Sequence, residues 1–123
     1  MYMWIAIGGL AGVFARVGVH GLFQRLVGTA FPWGTLVVNV TGSLAIGFVA
    51  RYGTGSASLS PELRTGLMVG FCGAYTTFST YSYETVRLLQ DGAYLRAGTY
   101  AVGSVILSLG ATLLGMAAAN RLA

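Results

Sequence analysis

The stretch with the most chemistry to offer is Tyr75-Thr76-Thr77-Phe78-Ser79-Thr80-Tyr81-Ser82-Tyr83, in which every side chain is aromatic or carries a hydroxyl. Just before it stands Gly70-Phe71-Cys72-Gly73-Ala74. Glycine followed by a Thr/Ser cluster marks a place where a membrane helix can break, because freed carbonyls are tolerated in a bilayer only where they meet protein, water or an ion. Phe78 and Tyr81 are three residues apart and share a helix face. An aromatic ring is negative on its face and positive at its edge. Two ring edges therefore suit a dehydrating anion, two faces suit a cation, and plain packing needs neither. Two further rows carry hydrogen-bonding groups at every fourth position: Thr35, Asn39, Ser43 and Gly47, then Tyr100, Ser104, Ser108 and Thr112. That spacing lays each row along one slowly drifting helix face. Polar side chains are costly in a bilayer and line either a water-filled path or an interhelical seam. Neither row holds an ionised group, so together they read as walls of a narrow path for a small hydrated solute, with packing glue as the alternative.

Single charges and the thiol need separate readings. Arg16 lies about ten residues from the nearer end of its apolar segment; either its fixed charge draws anions into a vestibule or its stem lets it reach the interface. His20, one turn on, reads as an interfacial histidine. Glu84 ends the hydroxyl-aromatic run and reads as a partner for Arg87 or Arg16. Cys72 is the single cysteine, with no disulfide framework or metal spacing, and reads as an inert buried thiol. One histidine, one cysteine and three acids near segment ends supply no nucleophile–base pair and no metal set. Enzymatic chemistry is not expected.

The elements that must position these groups follow from composition. Of 123 residues 55% are hydrophobic and 8% charged, with a mean hydropathy of +0.73. Soluble domains carry roughly 25% charged residues, so an ordinary water-soluble domain is excluded. A span takes about 20 residues, and four spans with short loops fill the chain as one domain, residues 1–123. The segments run from about Tyr2 to Leu22, Pro32 to Tyr52, Ser60 to Arg87 and Ala97 to Asn120, with residues 53–58 as a Gly/Ser/Thr loop. Pro32 suits a first helical turn, and Ser60-Pro61-Glu62 combines an N-cap, a first-turn proline and an acid at the positive end of the dipole. The runs are too long and unbroken for a membrane barrel. The first follows Met1 without a basic n-region and is expected to stay as a span. Trp4, Trp33, Tyr52 and Tyr94 fall near segment ends, as belt aromatics do. Nineteen glycines, with Gly8-x-x-x-Gly12 and Gly66-x-x-x-Gly70 among them, imply close helix packing.

Seven arginines and no lysine are scattered singly, a pattern of juxtamembrane anchors rather than a nucleic-acid patch. With four spans one side holds Arg51, Arg64 and Arg121 and the other Arg25, Arg87 and Arg96. Orientation follows an excess of Lys and Arg on the cytoplasmic side, and this tie chooses neither side. Either insertion details fix one orientation, or both are made and pair as an antiparallel dimer.

Taken together, Gly8-Gly9-Leu10-Ala11-Gly12-Val13-Phe14-Ala15-Arg16, Gly34-Thr35-Leu36-Val37-Val38-Asn39, and Gly70-Phe71-Cys72-Gly73 with Thr76-Thr77-Phe78-Ser79-Thr80 through Glu84 resemble the CrcB/Fluc family of small bacterial and archaeal fluoride channels. The resemblance covers nearly the whole chain, and the last two motifs carry most of its specificity. It implies an all-α integral membrane protein of the prokaryotic cell membrane. Four transmembrane helices per subunit, the third broken, would assemble as an antiparallel, dual-topology homodimer with two fluoride pores and a structural sodium ion at the dimer interface. By the same resemblance Asn39 and the ring edges of Phe78 and Tyr81 line the fluoride path. Tyr100, Ser104 and Ser108 add hydroxyls, Thr77 and Thr80 belong to the polar track, and Arg16 belongs to the vestibule. Main-chain carbonyls of Gly73 and Thr76 from both subunits would hold the sodium. Tyr81 stands where Phe is common in the family, and Ala74 and Tyr75 where a second glycine and an apolar residue are common.

The expected function is passive, fluoride-selective efflux. Fluoride is the most strongly hydrated halide, so its pore needs many neutral donors and no trapping charge. A small dual-topology multidrug exchanger is the competing transporter, but it typically relies on a carboxylate deep in its first span, and none is present. A structural membrane protein with polar packing seams is the third class. Expected partners are a second copy of the chain, fluoride and lipid, and no nucleic acid.

Overall fold

The computed structural model describes residues 1–55 and 59–122, all of whose regular structure is helical. Helix α1 spans Tyr2–Val27, α2 Trp33–Gly55, and after the shorter elements of the third segment α6 spans Tyr94–Leu122. These three are long and apolar enough to cross a membrane. At 1.5 Å per residue the 26 residues of α1 reach about 39 Å, beyond a hydrocarbon core of about 30 Å. Their outward side chains are large and apolar, with Leu10, Phe14, Leu95, Ile106, Leu109 and Leu113 exposed on the subunit. Such a surface is stable against lipid or another apolar face rather than against water.

The third segment is assembled from pieces. Helix α3 (Pro61–Thr65) starts as the sequence predicts, with Ser60 Oγ accepting from the Leu63 amide at 3.2 Å and Pro61 in the first turn. It runs into a π-helical stretch, Gly66–Cys72, and then α4 (Gly73–Tyr75). Thr76 and Thr77 are extended, with φ/ψ of −88°/157° and −150°/118°, and α5 resumes over Phe78–Gln90. Thr77 caps α5 by accepting the Thr80 amide at 3.3 Å. This segment is not among the helices long and apolar enough to cross a membrane.

Helix ends outrun the predicted segments: α1 passes Leu22 to Val27, α2 reaches Gly55, α5 reaches Gln90, and α6 begins at Tyr94 and ends at Leu122. Hydropathy marks the apolar stretch, whereas a helix continues until something stops it. Gly28 (φ 79°) and Gly92 (φ 75°) supply such stops, since glycine takes the left-handed conformation without a Cβ penalty. Of the loop expected at 53–58, the first three residues continue α2, and residues 56–58 lie outside the described residues.

Glycine-mediated contacts hold the helices together. The two Gly-x-x-x-Gly faces meet each other: a Cβ on Gly8 would strike the Gly66 carbonyl, one on Gly12 the Phe71 carbonyl, and one on Gly70 the Ile5 backbone. Helix α2 packs most extensively on α6, where Gly47 lies on the Thr112 backbone and Gly115 on those of Leu44 and Phe48. Backbone-to-backbone approach of this kind gives dispersion contact where lipid supplies no hydrophobic drive. It also fixes the third segment between α1 and α2, next to the polar row of α2.

Candidate functional site

The interruption between α4 and α5 is held by the Asn39 side chain of α2. Its Oδ1 accepts from the Thr77 amide at 2.8 Å, and its Nδ2 donates to the Thr77 carbonyl at 3.2 Å. In an unbroken helix the Thr77 N–H would bond to the Gly73 carbonyl. Asn39 takes that donor, and the Gly73 carbonyl is left outside the helical ladder. The Cys72 carbonyl is doubly satisfied, by the Thr76 amide at 3.1 Å and Thr76 Oγ1 at 2.9 Å. Arg16 Nε donates to the Ala74 carbonyl at 3.0 Å, so its guanidinium turns inward to a helix C-terminus, where a cation is favoured, and not to the interface. The Tyr75 hydroxyl lies 2.9 Å from Thr41 Oγ1, whose own proton goes to the Val37 carbonyl at 2.6 Å. The Tyr75 ring stacks on Phe71 with centroids 5.5 Å apart. Both residues at the position of the family departure are thus tied into the break, Ala74 by its carbonyl and Tyr75 by its ring and hydroxyl.

Beside the break is a groove of about 360 Å³ walled by α2, the break, α5 and α6. Eight of the predicted site residues line it: Asn39, Thr77, Phe78, Tyr81, Ser104 and Ser108 of the anion path, and Gly73 and Thr76 of the carbonyl pair. Ser43, from the polar row of α2, joins them. The Phe78 and Tyr81 rings are 5.5 Å apart at 43°, Phe78 on the outer lip at 78% exposure. The Tyr81 hydroxyl donates to the Ala101 carbonyl of α6 at 2.7 Å. Ser104 is buried, and its Oγ has no hydrogen-bond partner.

Thr80, Tyr100 and Arg16 do not line this groove. Thr80 Oγ1 accepts from Thr77 Oγ1 at 3.2 Å, and Arg16 is placed at Ala74. Tyr100 is buried behind Tyr81, with ring centroids 5.4 Å apart, and Phe31 stands edge-on to it at 5.6 Å. Its hydroxyl donates to Glu84 Oε1 at 2.9 Å. Glu84 therefore pairs with a phenol, not with the arginines expected from the sequence: Arg87 donates to the Tyr83 hydroxyl at 3.1 Å and lies over its ring, and Arg16 is occupied at the break. Glu84 also lines a second, polar pocket of about 340 Å³ with Arg87, Asp91 and Arg96. The Glu84–Tyr100 pair had a signal in the sequence. Both stand eight residues from Gly92, one before and one after, and an antiparallel α5–α6 hairpin turning there brings equidistant residues together.

The groove thus offers neutral donors and ring edges or faces, and no ionised group lines it. Among the described residues no group of three or more His, Cys, Asp or Glu could hold a metal ion. A partly dehydrated small ion could be solvated here without being trapped.

The sequence profile of the family described as CrcB-like protein, Camphor Resistance (CrcB), matches residues 3–116. The chain is 46% identical over 118 residues to a protein named fluoride-specific ion channel FluC from Geobacter sulfurreducens, covering 96% of this chain and 95% of that one. Proteins of the same name from Geotalea uraniireducens and Syntrophotalea carbinolica are 44% and 45% identical, each over 120 residues and at least 97% of both chains. With three helices able to cross a bilayer, the protein is a multi-pass membrane protein. On a match that runs nearly end to end and includes every residue of the groove, the chain belongs to the CrcB family.

Proposed function

We propose that this protein is a fluoride-specific ion channel that lets fluoride leave the cell passively. The observation that carries the reading is the groove at the Thr76–Thr77 break, where an amide, two aromatic rings and serine hydroxyls converge with no ionised side chain among them. Conduction needs sites favourable enough to enter and weak enough to leave. Neutral donors meet that need, whereas a groove cation would hold the anion. Arg16, hydrogen-bonded at Ala74, keeps its charge next to the break rather than in the groove, which supports a role in attracting the anion without trapping it. Relatives named fluoride-specific ion channels, at 44–46% identity, support the choice of anion.

The third segment completes the membrane domain as a broken fourth span, and two copies pair antiparallel, each lending its broken segment to the interface. The exposed lip residue Phe78 and the three-to-three arginine tie support this pairing. Sodium fits the donor set at the centre of the dimer. Main-chain carbonyls suit a hard alkali cation, and the Gly73 carbonyl, whose helical donor Asn39 has taken, is free to serve with that of Thr76. When bound, sodium would be held by the Gly73 and Thr76 carbonyls and would supply a fixed positive charge beside the break. The multidrug alternative has no carboxylate in α1 to support it.

Purified protein in liposomes loaded with fluoride tests the proposal with a fluoride electrode and a chloride control. Fluoride should run down its gradient without ATP or a proton gradient, with hardly any chloride. Equal rates for the two anions, or flux that needs a proton gradient, would sink the channel reading.

A further inference from the structure

The third segment is helical without a gap from Pro61 to Tyr75, and Gly73–Tyr75 is its last turn before the break. The carbonyls of a last turn have no helical donors, so such a turn frays unless side chains hold it. Two polar anchors are in place: Arg16 Nε donates to the Ala74 carbonyl at 3.0 Å, and Thr76 Oγ1 donates to the Cys72 carbonyl at 2.9 Å. Tyr75 supplies a third, because its side chain reaches α2.

The Tyr75 hydroxyl lies 2.9 Å from Thr41 Oγ1. A threonine hydroxyl has one proton, and that of Thr41 goes to the Val37 carbonyl at 2.6 Å. The phenol is therefore the donor. Its ring is held at two further places. It stacks on Phe71, four residues back, with the planes 16° apart. It also lies over Gly42, where a Cβ would come within 3.1 Å of Tyr75 Cδ2 and would strike the Thr76 methyl. The Tyr75 amide nitrogen rests against α1, 3.1 Å from where a Gly12 side chain would begin. Tyr75 thus has its backbone on α1 and its phenol on α2. It is not among the residues of the groove, whereas its neighbours Gly73 and Thr76 are. Any effect it has there is indirect, and packing alone would need bulk at this position rather than a directed hydroxyl.

We propose that Tyr75 is a positioning residue, whose hydrogen bond to Thr41 fixes the rotation of the last helical turn and so the direction of the Gly73 and Thr76 carbonyls. The proposal rests on the channel reading, in which those carbonyls hold sodium. The rigid peptide planes on either side of Tyr75 share its Cα, so a side chain held at three places leaves them little freedom to turn. Without the bond the fold survives, because the ring keeps its stacking on Phe71, but the two carbonyls are less often aimed together.

Tyr75→Phe, Thr41→Val and the double variant test this beside the wild type. Liposome fluoride flux and thermal unfolding of the purified proteins are each followed as NaCl replaces choline chloride at constant ionic strength. A ligand that binds the folded protein raises Tm as its concentration passes its Kd. Loss of one neutral hydrogen bond that aims the ligands should raise the sodium concentration for half-maximal stabilisation of Tyr75→Phe about fivefold. Thr41→Val should match that shift, and the double variant should go no further, because all three lack the same bond. Flux should fall at low sodium and return to the wild-type value at saturating sodium. A wild-type half-point in Tyr75→Phe, with Tm lowered equally at every sodium concentration or not at all, overturns the proposal and makes Tyr75 a packing residue. So do shifts that add in the double variant. A wild type whose Tm ignores sodium overturns the sodium reading and this proposal with it. Wild-type liposomes that carry no fluoride overturn the channel reading whatever the variants do, and the wild-type controls therefore tell these failures apart.

Discussion

Phe78 and Tyr81 line the same groove but are held differently, and the difference decides what each substitution does. Tyr81 is pinned by its hydroxyl to the Ala101 carbonyl, whereas Phe78 is 78% exposed on the single subunit and has no polar anchor. If ring edges meet the anion, Phe78→Leu keeps the bulk, removes the edge and lowers fluoride flux strongly, with dimer yield on a sizing column nearly unchanged. Tyr81→Phe should stay active, because the hydroxyl points at α6 and not into the groove. Its cost is one hydrogen bond, about 1 kcal/mol of stability, seen as a lower Tm. Tyr81→Leu should fail. Normal conduction by both leucine variants would make the pair core packing and shift the pore toward Asn39 and the serines of α6. This pair was legible from spacing alone, because three residues on a helix is a local relation. The direction of the Tyr81 hydroxyl was not, since its acceptor lies 20 residues away on another helix.

The break in the third segment shows the same division at the scale of the element. Glycine and hydroxyl clustering located it, but what holds it open is a side chain from another helix, Asn39. Asn39→Leu removes both bonds to Thr77 and leaves its N–H free to rejoin the Gly73 carbonyl. The expected loss is about 2 kcal/mol, at about 1 kcal/mol per bond, together with fluoride flux. Flux lost without any fall in Tm would mean that Asn39 acts on the ion alone. Glycine pairs likewise announced close packing in the sequence without naming the partner, because which faces meet depends on tertiary placement. Gly8→Ala would drive a methyl into the Gly66 carbonyl of the π-helical stretch, and overpacking of this kind costs about 1–3 kcal/mol. Gly18→Ala meets no neighbour within 4 Å and should be neutral or stabilising by up to about 1 kcal/mol. Thermal unfolding of the two variants side by side checks this, and equal Tm values would mean that the α1 contact is slack. Helix lengths were misjudged for a related reason: Gln24 and Arg25 are polar but helical, and hydropathy sees only the former property.

At the scale of the whole molecule the arginines make the least local prediction. Neither end of the subunit gains a surplus: Arg51 bonds Asn120 and Arg64 the Ala50 carbonyl at one end, Arg87 bonds Tyr83 and Arg96 the Ala30 carbonyl at the other. With three arginines at each end, the positive-inside rule has nothing to act on, and both orientations should be made. A single-cysteine reporter at the chain end, in a Cys72→Ala background, should then label from both sides of sealed cells. Cys72 is 3% exposed, so its replacement removes residual labelling without touching the surface. Adding arginines at Gln24 and Gln90, both at the end that holds Arg25, Arg87 and Arg96, should bias insertion. Labelling should become one-sided and fluoride flux should fall, because only one half of each antiparallel pair remains. Co-expression with Glu62→Arg/Leu122→Arg, biased the opposite way, should restore flux without restoring two-sided labelling of either chain alone. No loss of fold explains that rescue, whereas complementary orientation does. A one-sided variant that conducts fully on its own would rule out the antiparallel pair and leave each subunit, or a parallel dimer, as the conducting unit.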